Sequence, residues 1–566
     1  MKTLNLHVDY IKFKPLKKAL KSIADLPEKE KQEQEIKDCL VVLTAVEKFD
    51  TNVNKIVEKY IENIKDIAKQ VNTKNIVLYP YAHLSKDLSS PEIAQKILIE
   101  AEEQLKKLKF SVVRAPFGYY KEFELKVKGH PLSELSREIK IEEEGEKEEK
   151  YEPKQLLKEI SKSKLDTSKL KENDHRIIGR QMDLFSFNEV APGMVFWHNN
   201  GLIIRNELIN FARELMRKSG YQEILTPQIL DKKLWQISGH WEKYKENIFL
   251  TEYEKRDFAV KPMNCPGGLL IYKNSPKSYR DLPLKAGEFG IVHRQELSGV
   301  LGGLFRVIQF TQDDAHIFCA EKQLEDEISK VMDLVDLIYS KFKFEYSIEL
   351  STRPEKRIGS DEIWDKAEKS LKNVLDKKKI KYKINKGDGA FYGPKIDFHL
   401  KDSLGRTWQC GTIQVDFSMP ERFELEYTDK DNEKKRPIMI HRAIYGSLER
   451  FIGILLEHTN GRLPLWLAPI QVRILNFTER NEKYAKKILE KLNKEIPNLR
   501  IDFDFEAKSV QAKVKEAELM KIPLIIVVGD KEEKENSVAV RKNGEVKNVK
   551  IEKFIEDLKE KINNRE

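Results

Sequence analysis

The chain has 566 residues, which is too long for a single hydrophobic core and favours three or four domains. Hydrophobic residues make up 40% of the chain and charged residues 34%, a balance typical of globular domains with highly charged surfaces. The net charge of +9 is a small excess for this length. It permits a nucleic-acid partner but does not require one.

The cysteines and the hydrophobicity of the chain argue against a disulfide-stabilised protein and against a membrane protein. The four cysteines, at positions 39, 265, 319 and 410, are far apart and form no CxxC pair, so a disulfide framework is not expected. No stretch reaches the roughly 18 apolar residues of a membrane span, and the N-terminus lacks an apolar signal core. We therefore expect a cytoplasmic protein with no membrane partner.

The first 140 residues have the pattern of a compact α/β domain. Strand patterns occupy residues 4–10, 39–49, 76–81 and 123–127. Apolar residues recur at helical spacing over 53–64. Ser90-Pro91 predicts a second helix, because a proline at the first helical position loses no hydrogen bond.

The rest of the chain divides into three further segments. Residues 141–184 begin with a highly charged run that cannot bury a core, and they are predicted to be a partly helical linker. Residues 185–463 contain nearly all candidates for chemistry. Residues 464–566 alternate strands and helices and predict a small α/β module.

One cysteine and two histidines of the central segment form a candidate metal site. Cys265, His316 and His441 provide three ligands and no fourth, which suits tetrahedral zinc with an open position. Spacing alone is weak support, because any long chain contains such a set. Cys265 packing in a core and His441 satisfying a backbone carbonyl remain alternatives.

Three arginines, Arg294, Arg306 and Arg450, are candidates for phosphate binding, because the guanidinium group matches phosphate oxygens with two parallel bonds. The sequence contains no GxxxxGK[ST] loop. Bound ATP would therefore depend on arginines and metal ions. Each arginine taken alone could equally form a surface salt bridge.

Five stretches occur in one order along the central segment, and together they are highly specific: KPMNCPG, TQDDAHIF, AFYGPKIDF, WQCGTIQVDF and HRAIYGSLERF. They resemble the class II aminoacyl-tRNA synthetases, and specifically the threonyl-tRNA synthetase family. Pro227 resembles the end of the dimer-interface motif 1, residues 293–310 resemble motif 2, and 446–450 resemble motif 3. The resemblance covers nearly all of residues 185–566.

This resemblance implies a multidomain α/β and α+β fold whose central domain is an antiparallel sheet with helices. It also implies a homodimer, and as partners tRNA(Thr), ATP and L-threonine. The implied metals are Zn²⁺ on Cys265, His316 and His441, and Mg²⁺ with ATP. The residues implied for threonine are Gln312, Asp314 and Tyr392. Those implied for ATP are Arg294, Glu296, Arg306, Phe310, Gln409 and Arg450.

The implied reaction is attack of the threonine carboxylate on the α-phosphorus of ATP, followed by transfer to the tRNA 3′ end. Arg294 is expected at the α-phosphate and Arg450 at the leaving pyrophosphate. The family usually has His where this chain has Gly268, which could alter contacts to the tRNA end or to threonine. Zinc contacting the hydroxyl group rejects valine, whereas serine differs by one methyl group and is excluded only about 10–200-fold. A second, editing site is therefore expected.

Residues 1–140 resemble the archaeal editing domain of the same family, which is similar to D-aminoacyl-tRNA deacylases. The stretches YPYAHL (79–84) and PFGYYK (116–121) carry this resemblance. It implies that His83 and Lys121 organise the hydrolytic water, and that Tyr120 and Glu134 hold the terminal adenosine. A turn role for His83 and a surface role for Lys121 are the alternatives.

The C-terminal module resembles the class IIa anticodon-binding domain, with Lys531, Glu532 and Arg541 as candidate contacts to anticodon bases. A solvated hairpin is the alternative for each residue. Three other functions are the alternatives: a synthetase for serine or proline, a non-catalytic RNA-binding regulator, and a free-standing zinc enzyme. The Cys/His/His set argues against the first, the retained motif arginines against the second, and the anticodon-like module against the third.

Overall fold

The computed structural model describes residues 1–20, 23, 25–139, 170–402 and 405–566. Two compact units divide the chain, Met1–Pro153 and Lys154–Glu566. The linker helix predicted before His175 lies outside the described residues. None of the helices in the described ranges has the length and apolar character that a membrane span requires.

The N-terminal unit is a sheet covered by two helices on one face. Its elements are β1 (Lys2–Lys18), β2 (Gln34–Ala45), α1 (Val53–Gln70), β3 (Asn75–Pro80), α2 (Pro91–Lys107), β4 (Ser111–Arg114), β5 (Tyr119–Val127) and β6 (Glu134–Glu138). The strand order is β4-β3-β2-β1-β5, and β6 pairs with the first half of β1. β2, β3 and β4 run parallel, and β1 is antiparallel to its neighbours.

The predicted helix starts in this unit are confirmed, and one predicted strand end is wrong. The Ser90 hydroxyl group accepts a hydrogen bond from the backbone N–H of Ile93, with Pro91 at the first helical position. The second strand ends at Ala45 and not at Phe49, whose side chain is exposed. A turn interrupts the apolar run there, since Asp50 accepts a hydrogen bond from the backbone N–H of Glu47.

The synthetase-like region of the second unit is built on a long, mostly antiparallel sheet. Its strands are β7 (Phe185–Ser186), β8 (Phe196–Trp197), β9 (Gln222–Glu223), β10 (Ile229–Asp231), β11 (Leu250–Tyr253), β12 (Arg256–Val260), β13 (Leu284–His293), β14 (Gln309–Cys319), β15 (Tyr346–Ser351), β16 (Lys383–Asn385), β17 (Lys395–Lys401), β18 (Thr407–Asp416), β19 (Tyr427–Thr428), β20 (Lys434–Lys435) and β21 (Ile438–Ser447). Its helices are α3 (His175–Gln181), α4 (Asn199–Lys218), α5 (Lys232–Ile237), α6 (His240–Lys243), α7 (Cys265–Lys273), α8 (Leu324–Lys341), α9 (Asp361–Lys377), α10 (Ser418–Arg422) and α11 (Leu448–Thr459).

The order of the central sheet is β16-β15-β17-β18-β21-β14-β13-β9. The hairpin β13–β14 pairs without interruption from Leu284↔Phe318 to His293↔Gln309. β21 pairs with β14 on one side and with β18 on the other. Helices α8 and α11 pack against these central strands in one large core, which holds the sheet rigid.

The elements of the C-terminal module are β22 (Val472–Asn476), α12 (Glu482–Glu495), β23 (Ile501–Asp504), α13 (Val510–Leu519), β24 (Leu524–Val528), α14 (Asp530–Glu535), β25 (Ser537–Lys542), β26 (Glu545–Lys550) and α15 (Ile551–Asn563). The strands form a smaller mixed sheet of order β23-β22-β24-β25-β26. The module contacts α4 through two ion pairs, Arg500–Glu207 and Arg565–Glu214. The predicted fold class, α/β modules around an antiparallel central sheet, is confirmed.

A fully buried ion pair connects Glu288 on β13 to Lys261, the residue that follows β12. The Lys261 ammonium group donates hydrogen bonds to Glu288 Oε1 (2.8 Å) and to Thr226 Oγ1 (2.9 Å). Glu288 also accepts a bond from the backbone N–H of Thr226 (2.9 Å). Both charged side chains have zero exposure, so each depends on the other for charge compensation.

Replacing one member of this pair should destabilise the central region strongly. We expect Lys261→Met to lower the free energy of unfolding by about 3–5 kcal/mol, because it leaves the Glu288 carboxylate buried without its cation. All six tryptophans lie within residues 197–466, so fluorescence during urea unfolding reports on this region. Lys366→Met, which removes an exposed ion pair with Glu321 in the same region, should cost less than about 0.5 kcal/mol. Equal costs for the two variants would contradict the expectation.

Candidate active site

A cavity of about 620 Å³ opens on the central sheet and brings together side chains from distant parts of the chain. β14, β18 and β21 supply much of its wall, together with the loop between β13 and β14 and the starts of α7 and α11. The sequence-predicted residues that line it are Cys265, Arg294, Glu296, Arg306, Phe310, Gln312, Asp314, Tyr392, Gln409, His441 and Arg450.

The candidate metal ligands converge at one end of this cavity. One potential ligand atom from each of Cys265, His316 and His441 lies within 4.8 Å of the other two. Strand pairing explains the convergence of the histidines, because His316 on β14 lies directly opposite His441 on β21. Cys265 is the first residue of α7, and all three side chains are buried.

Asp416 orients one of the imidazoles. Its Oδ2 atom accepts a hydrogen bond from His441 Nε2 (3.0 Å), and its Oδ1 atom accepts bonds from the backbone N–H groups of Ser418 (2.7 Å) and Met419 (3.0 Å). This arrangement leaves His441 Nδ1 as the nitrogen that can bind a metal, as carboxylate–histidine pairs do in metal sites. Neither ring nitrogen of His316 has a hydrogen-bond partner among the described residues.

Burial disfavours the charged forms of two of the ligands, Cys265 and His316. It raises the pKa of the Cys265 thiol well above its usual value, and the carboxylates of Asp314 and Asp416 add to this shift. It lowers the pKa of His316 well below its usual value, with His441 contributing. Neutral imidazoles and a thiol that ionises only beside a cation are the donors that zinc-type metals take.

The cavity wall beside these ligands is polar and carries a carboxyl group. Asp314 accepts a hydrogen bond from the Asn264 amide (3.3 Å), and burial raises its pKa to about 6. The Tyr392 hydroxyl group donates to Gln414 Oε1 (2.8 Å), and the Tyr392 ring lies 5.1 Å from the His441 ring. A small molecule with an ammonium group and a hydroxyl group would find partners for both here.

Arginines dominate the other end of the cavity. Arg294 lies over the rings of Phe310 (5.0 Å) and Tyr244 (5.8 Å). Arg450 donates to the backbone carbonyls of Phe305 and Gln409, both at 2.9 Å. Burial and the nearby arginines lower the pKa of Arg450, so the region favours an incoming anion.

Arg306 and Glu296, each predicted to contact ATP, form an ion pair with each other in this structure. Arg306 donates from Nε (3.0 Å) and Nη2 (2.8 Å) to Glu296 Oε2. Because Arg306 is exposed, this ion pair is weak enough to open when a ligand binds. Gln409 donates its amide hydrogen to Asp397, which lies at the base of this wall.

Sequence reasoning missed two buried carboxylates that hold the cavity wall. Asp397 accepts hydrogen bonds from Gln409 and from Thr412 (2.8 Å). Asp313 accepts bonds from the backbone N–H groups of Ile444 and Gly446, where β21 approaches its end. The Asp-Asp pair at 313–314 was a usable signal, because neighbouring residues of a strand face opposite sides and only Asp314 can face the cavity.

A second cavity, of about 530 Å³, lies in the N-terminal unit and contains His83, Tyr120 and Lys121 in a largely apolar wall. Lys121 Nζ donates to the backbone carbonyls of Pro116 (2.9 Å) and Tyr119 (3.1 Å) and lies 5.0 Å from the Tyr79 ring centre. Burial lowers its pKa to about 8. The cavity thus presents an ammonium group that is partly withdrawn from water.

The structure does not bring Glu134 to this second cavity. Glu134 begins β6 and pairs with Leu6, whereas Tyr120 pairs with Lys17 near the other end of β1. At about 3.3 Å per residue, the two positions on β1 are on the order of 30 Å apart. The sequence alone does not show this separation, because it depends on which end of the long strand β1 pairs with each of the two residues.

The three candidate anticodon residues cluster around α14 and β25. Lys531 is exposed at the start of α14. Glu532 accepts a hydrogen bond from the backbone N–H of Gly529 (3.0 Å), and Arg541 donates to Glu518 (2.8 Å). Two of the three side chains therefore already have a partner within the protein.

Three family models match the chain in succession. Residues 1–139 match the archaea-specific editing domain of threonyl-tRNA synthetase. Residues 249–459 match the class II tRNA synthetase core domain for G, H, P, S and T. Residues 471–561 match the anticodon-binding domain. The exact domain limits at 140, 184 and 463 stay a prediction.

Named relatives are threonine–tRNA ligases. Those of Carboxydothermus hydrogenoformans and Clostridium tetani are 54% and 52% identical over 390 and 397 residues, which cover 69% and 70% of this chain. The chain spans only 61% and 62% of the length of these two relatives. A crystal structure titled as the RNA-binding domain of threonyl-tRNA synthetase from Cryptosporidium parvum is 40% identical, with a TM-score of 0.66. That alignment covers 68% of this chain and 98% of the crystallised one. The chain belongs to the threonyl-tRNA synthetase family.

Proposed function

We propose that this protein is a threonine–tRNA ligase that activates threonine with ATP and transfers it to the 3′ end of tRNA(Thr). The observation that supports this most directly is the single cavity in which a Cys/His/His set lies beside an arginine-rich wall. The first feature suits recognition of an amino and a hydroxyl group, and the second suits a nucleotide's phosphates.

Cys265, His316 and His441 would hold Zn²⁺, and their neutral and thiolate donors fit this ion. When bound, the ion would supply a Lewis acid for the lone pairs of the amino and hydroxyl groups of threonine. Asp314 would accept a hydrogen bond from the threonine amino group, and Tyr392 and Gln312 would close the pocket around the side chain. Valine has no hydroxyl group, so it would leave these polar partners unpaired and be rejected.

In the activation step the threonine carboxylate attacks the α-phosphorus of ATP, and pyrophosphate leaves. Arg294 would neutralise the α-phosphate, and Arg450 would bind the leaving pyrophosphate together with Mg²⁺. Phe310 would stack on adenine, with Glu296, Arg306 and Gln409 around it. No general base is needed, because the attacking carboxylate is already ionised at neutral pH.

Serine keeps the hydroxyl group, so the synthetic site would admit it at a fraction of the threonine rate. We propose that the N-terminal unit hydrolyses the resulting seryl-tRNA in its own cavity. Lys121 and His83 would orient the attacking water, with Tyr120 at the cavity mouth against the terminal adenosine. The contact of Glu134 with adenosine stays a prediction and has no support from its place on β6.

We also propose a homodimer and direct tRNA contacts. Leu225 and Ile229, beside motif 1, are 76% and 55% exposed, which suits an interface in a second copy. Lys531, Glu532 and Arg541 would contact the anticodon loop. A cytoplasmic location fits the four unpaired and buried cysteines.

Removing the thiol should abolish both metal binding and threonine activation. We expect Cys265→Ala to lose bound zinc and to reduce threonine-dependent ATP–pyrophosphate exchange by at least about 100-fold, which exceeds the usual effect of losing an outer partner of a metal site. Cys319→Ala, which removes a buried thiol away from the cavity, should retain both. Exchange by Cys265→Ala at wild-type rate, or wild-type exchange with serine or proline but not threonine, would contradict the proposed function.

Zinc binding should release a proton and strengthen with pH. Burial raises the pKa of Cys265, so the metal-free thiol is protonated near neutrality, and zinc must displace that proton. His316 has a lowered pKa and is already neutral, so it releases none. We expect the apparent zinc affinity of the metal-free protein to rise about tenfold per pH unit between pH 6 and 8. A pH-independent affinity in competition titrations with a chelator would contradict this.

Changing Lys121 should separate editing from charging. We expect Lys121→Met to leave threonine charging within about twofold of wild type and to slow hydrolysis of seryl-tRNA by about 100-fold, the scale of a lost electrostatic contact. Lys126→Met, on the same strand but exposed and paired with Asp9, is the matched control and should edit normally. Unchanged deacylation by Lys121→Met would remove Lys121 from the editing site.

A further inference from the structure

A buried histidine at the start of the second unit contacts the motif 2 segment. His175 is the first residue of α3 and is almost completely buried. Its Nε2 atom accepts a hydrogen bond from the backbone N–H of Leu304 (3.0 Å), and its Nδ1 atom lies 2.8 Å from Glu457 Oε1. Because Nε2 accepts, the ring hydrogen is on Nδ1 and is donated to Glu457.

The chain approaches His175 very closely on the motif 2 side. Gly303 has a φ angle of +54°, and a Cβ atom at this position would lie 2.3 Å from His175 Nε2. The Phe305 ring lies 4.3 Å from the imidazole ring. Gly453 of α11 leaves room for Leu304 and Phe305. Residues 303–305 therefore each contact the imidazole ring of His175 closely.

This segment leads directly to the arginines of the active-site cavity. The Phe305 carbonyl oxygen accepts the hydrogen bond from Arg450 Nε (2.9 Å), and Arg306 is the next residue. A displacement of Phe305 would therefore move both the carbonyl oxygen that binds Arg450 and the backbone of Arg306. His175 itself does not line the cavity.

Glu457 connects His175 to the segment that contains Arg406 and Gln409. Its Oε2 atom accepts a hydrogen bond from Arg406 (2.6 Å). The Arg406 guanidinium group lies over the Phe305 and Trp408 rings, and these rings stack at 4.4 Å. Gln409, the residue after Trp408, supplies the second carbonyl that holds Arg450 (2.9 Å). Both carbonyl partners of Arg450 therefore belong to segments in contact with the His175–Glu457 pair.

Asp174, His175 and Glu457 also bring three ligand-type atoms within 4.8 Å of one another. A metal ion does not explain this cluster, because both imidazole nitrogens are engaged by protein groups. Asp174 is likewise engaged, by two nitrogens of the Arg176 side chain (both 2.8 Å). The cluster is a hydrogen-bonded connection between α3, α11 and the motif 2 segment.

We propose that His175 is a positioning residue for the ATP phosphates, which acts by fixing residues 303–305 and through them the orientation of Arg450. This inference rests on the proposed use of ATP. Under this proposal α3 contributes to the affinity for ATP. His175 does so without contacting the substrate.

Two substitutions separate the two hydrogen bonds of the ring. In His175→Gln the side-chain oxygen can replace Nε2 as the acceptor for Leu304, whereas the bond to Glu457 is lost. In His175→Asn the amide can replace the Nδ1 donor to Glu457, whereas the Leu304 N–H loses its acceptor. Leaving a buried N–H unpaired shifts an equilibrium by roughly 5- to 100-fold. Each variant loses one bond, so a purely structural role predicts similar effects for both.

The test compares ATP binding, threonine use and thermal stability in the zinc-loaded full-length protein. We expect His175→Asn to raise the Kd for ATP, measured by titration calorimetry, and the KM for ATP in pyrophosphate exchange, both by about tenfold. The KM for threonine should stay within about twofold. His175→Gln should stay within about threefold of wild type for ATP. His198→Asn, at an exposed histidine whose two ring nitrogens also have partners, should match wild type.

Equal ATP affinities for the Asn and Gln variants, or parallel increases in the constants for ATP and threonine, would overturn the inference even if the wild type charges tRNA. A wild-type protein that binds ATP but shows no threonine-dependent exchange would contradict the proposed function instead. In that case a selective loss of ATP binding in His175→Asn would still support the positioning role.

Discussion

The central constraint in this structure is the pairing of β14 with β21, which places two buried imidazoles opposite each other. His316 and His441 are cross-strand neighbours, and the first turn of α7 adds the Cys265 thiol to them. Buried polar groups without partners are costly, and neither ring nitrogen of His316 has one among the described residues. A bound metal ion would offset this cost, so the stability of the sheet centre and the chemistry of the cavity depend on the same three side chains.

The arginine end of the cavity follows a different principle. Arg450 is held by backbone carbonyls of two segments, so its place depends on how those segments pack and not on a carboxylate partner. This arrangement leaves its positive charge available to an anion. It would also make the proposed nucleotide binding sensitive to contacts outside the cavity, such as the bond from the Leu304 N–H to His175.

The two cavities have complementary chemistry, which would suit the proposed discrimination among threonine, valine and serine. The central cavity is polar and can test for a hydroxyl group. The cavity of the N-terminal unit is largely apolar, with one ammonium group whose pKa burial lowers to about 8. A methyl group is too small a difference for one binding step to read with high fidelity, so two separate sites of different polarity are a physical answer to the problem.

The order of the modules, several helix starts such as Ser90-Pro91, and the residue types of the central cavity could be predicted from the amino-acid sequence, because they depend on local pattern and on specific motifs. The sequence did not determine that Asp313 and Asp397 hold the cavity wall, that Glu296 pairs with Arg306, or that Glu134 lies far from Lys121 along β1. Those facts depend on strand register and on packing between residues distant in the chain. Only the tertiary structure decides them, because a shift of one residue in register reverses which side chains face the cavity.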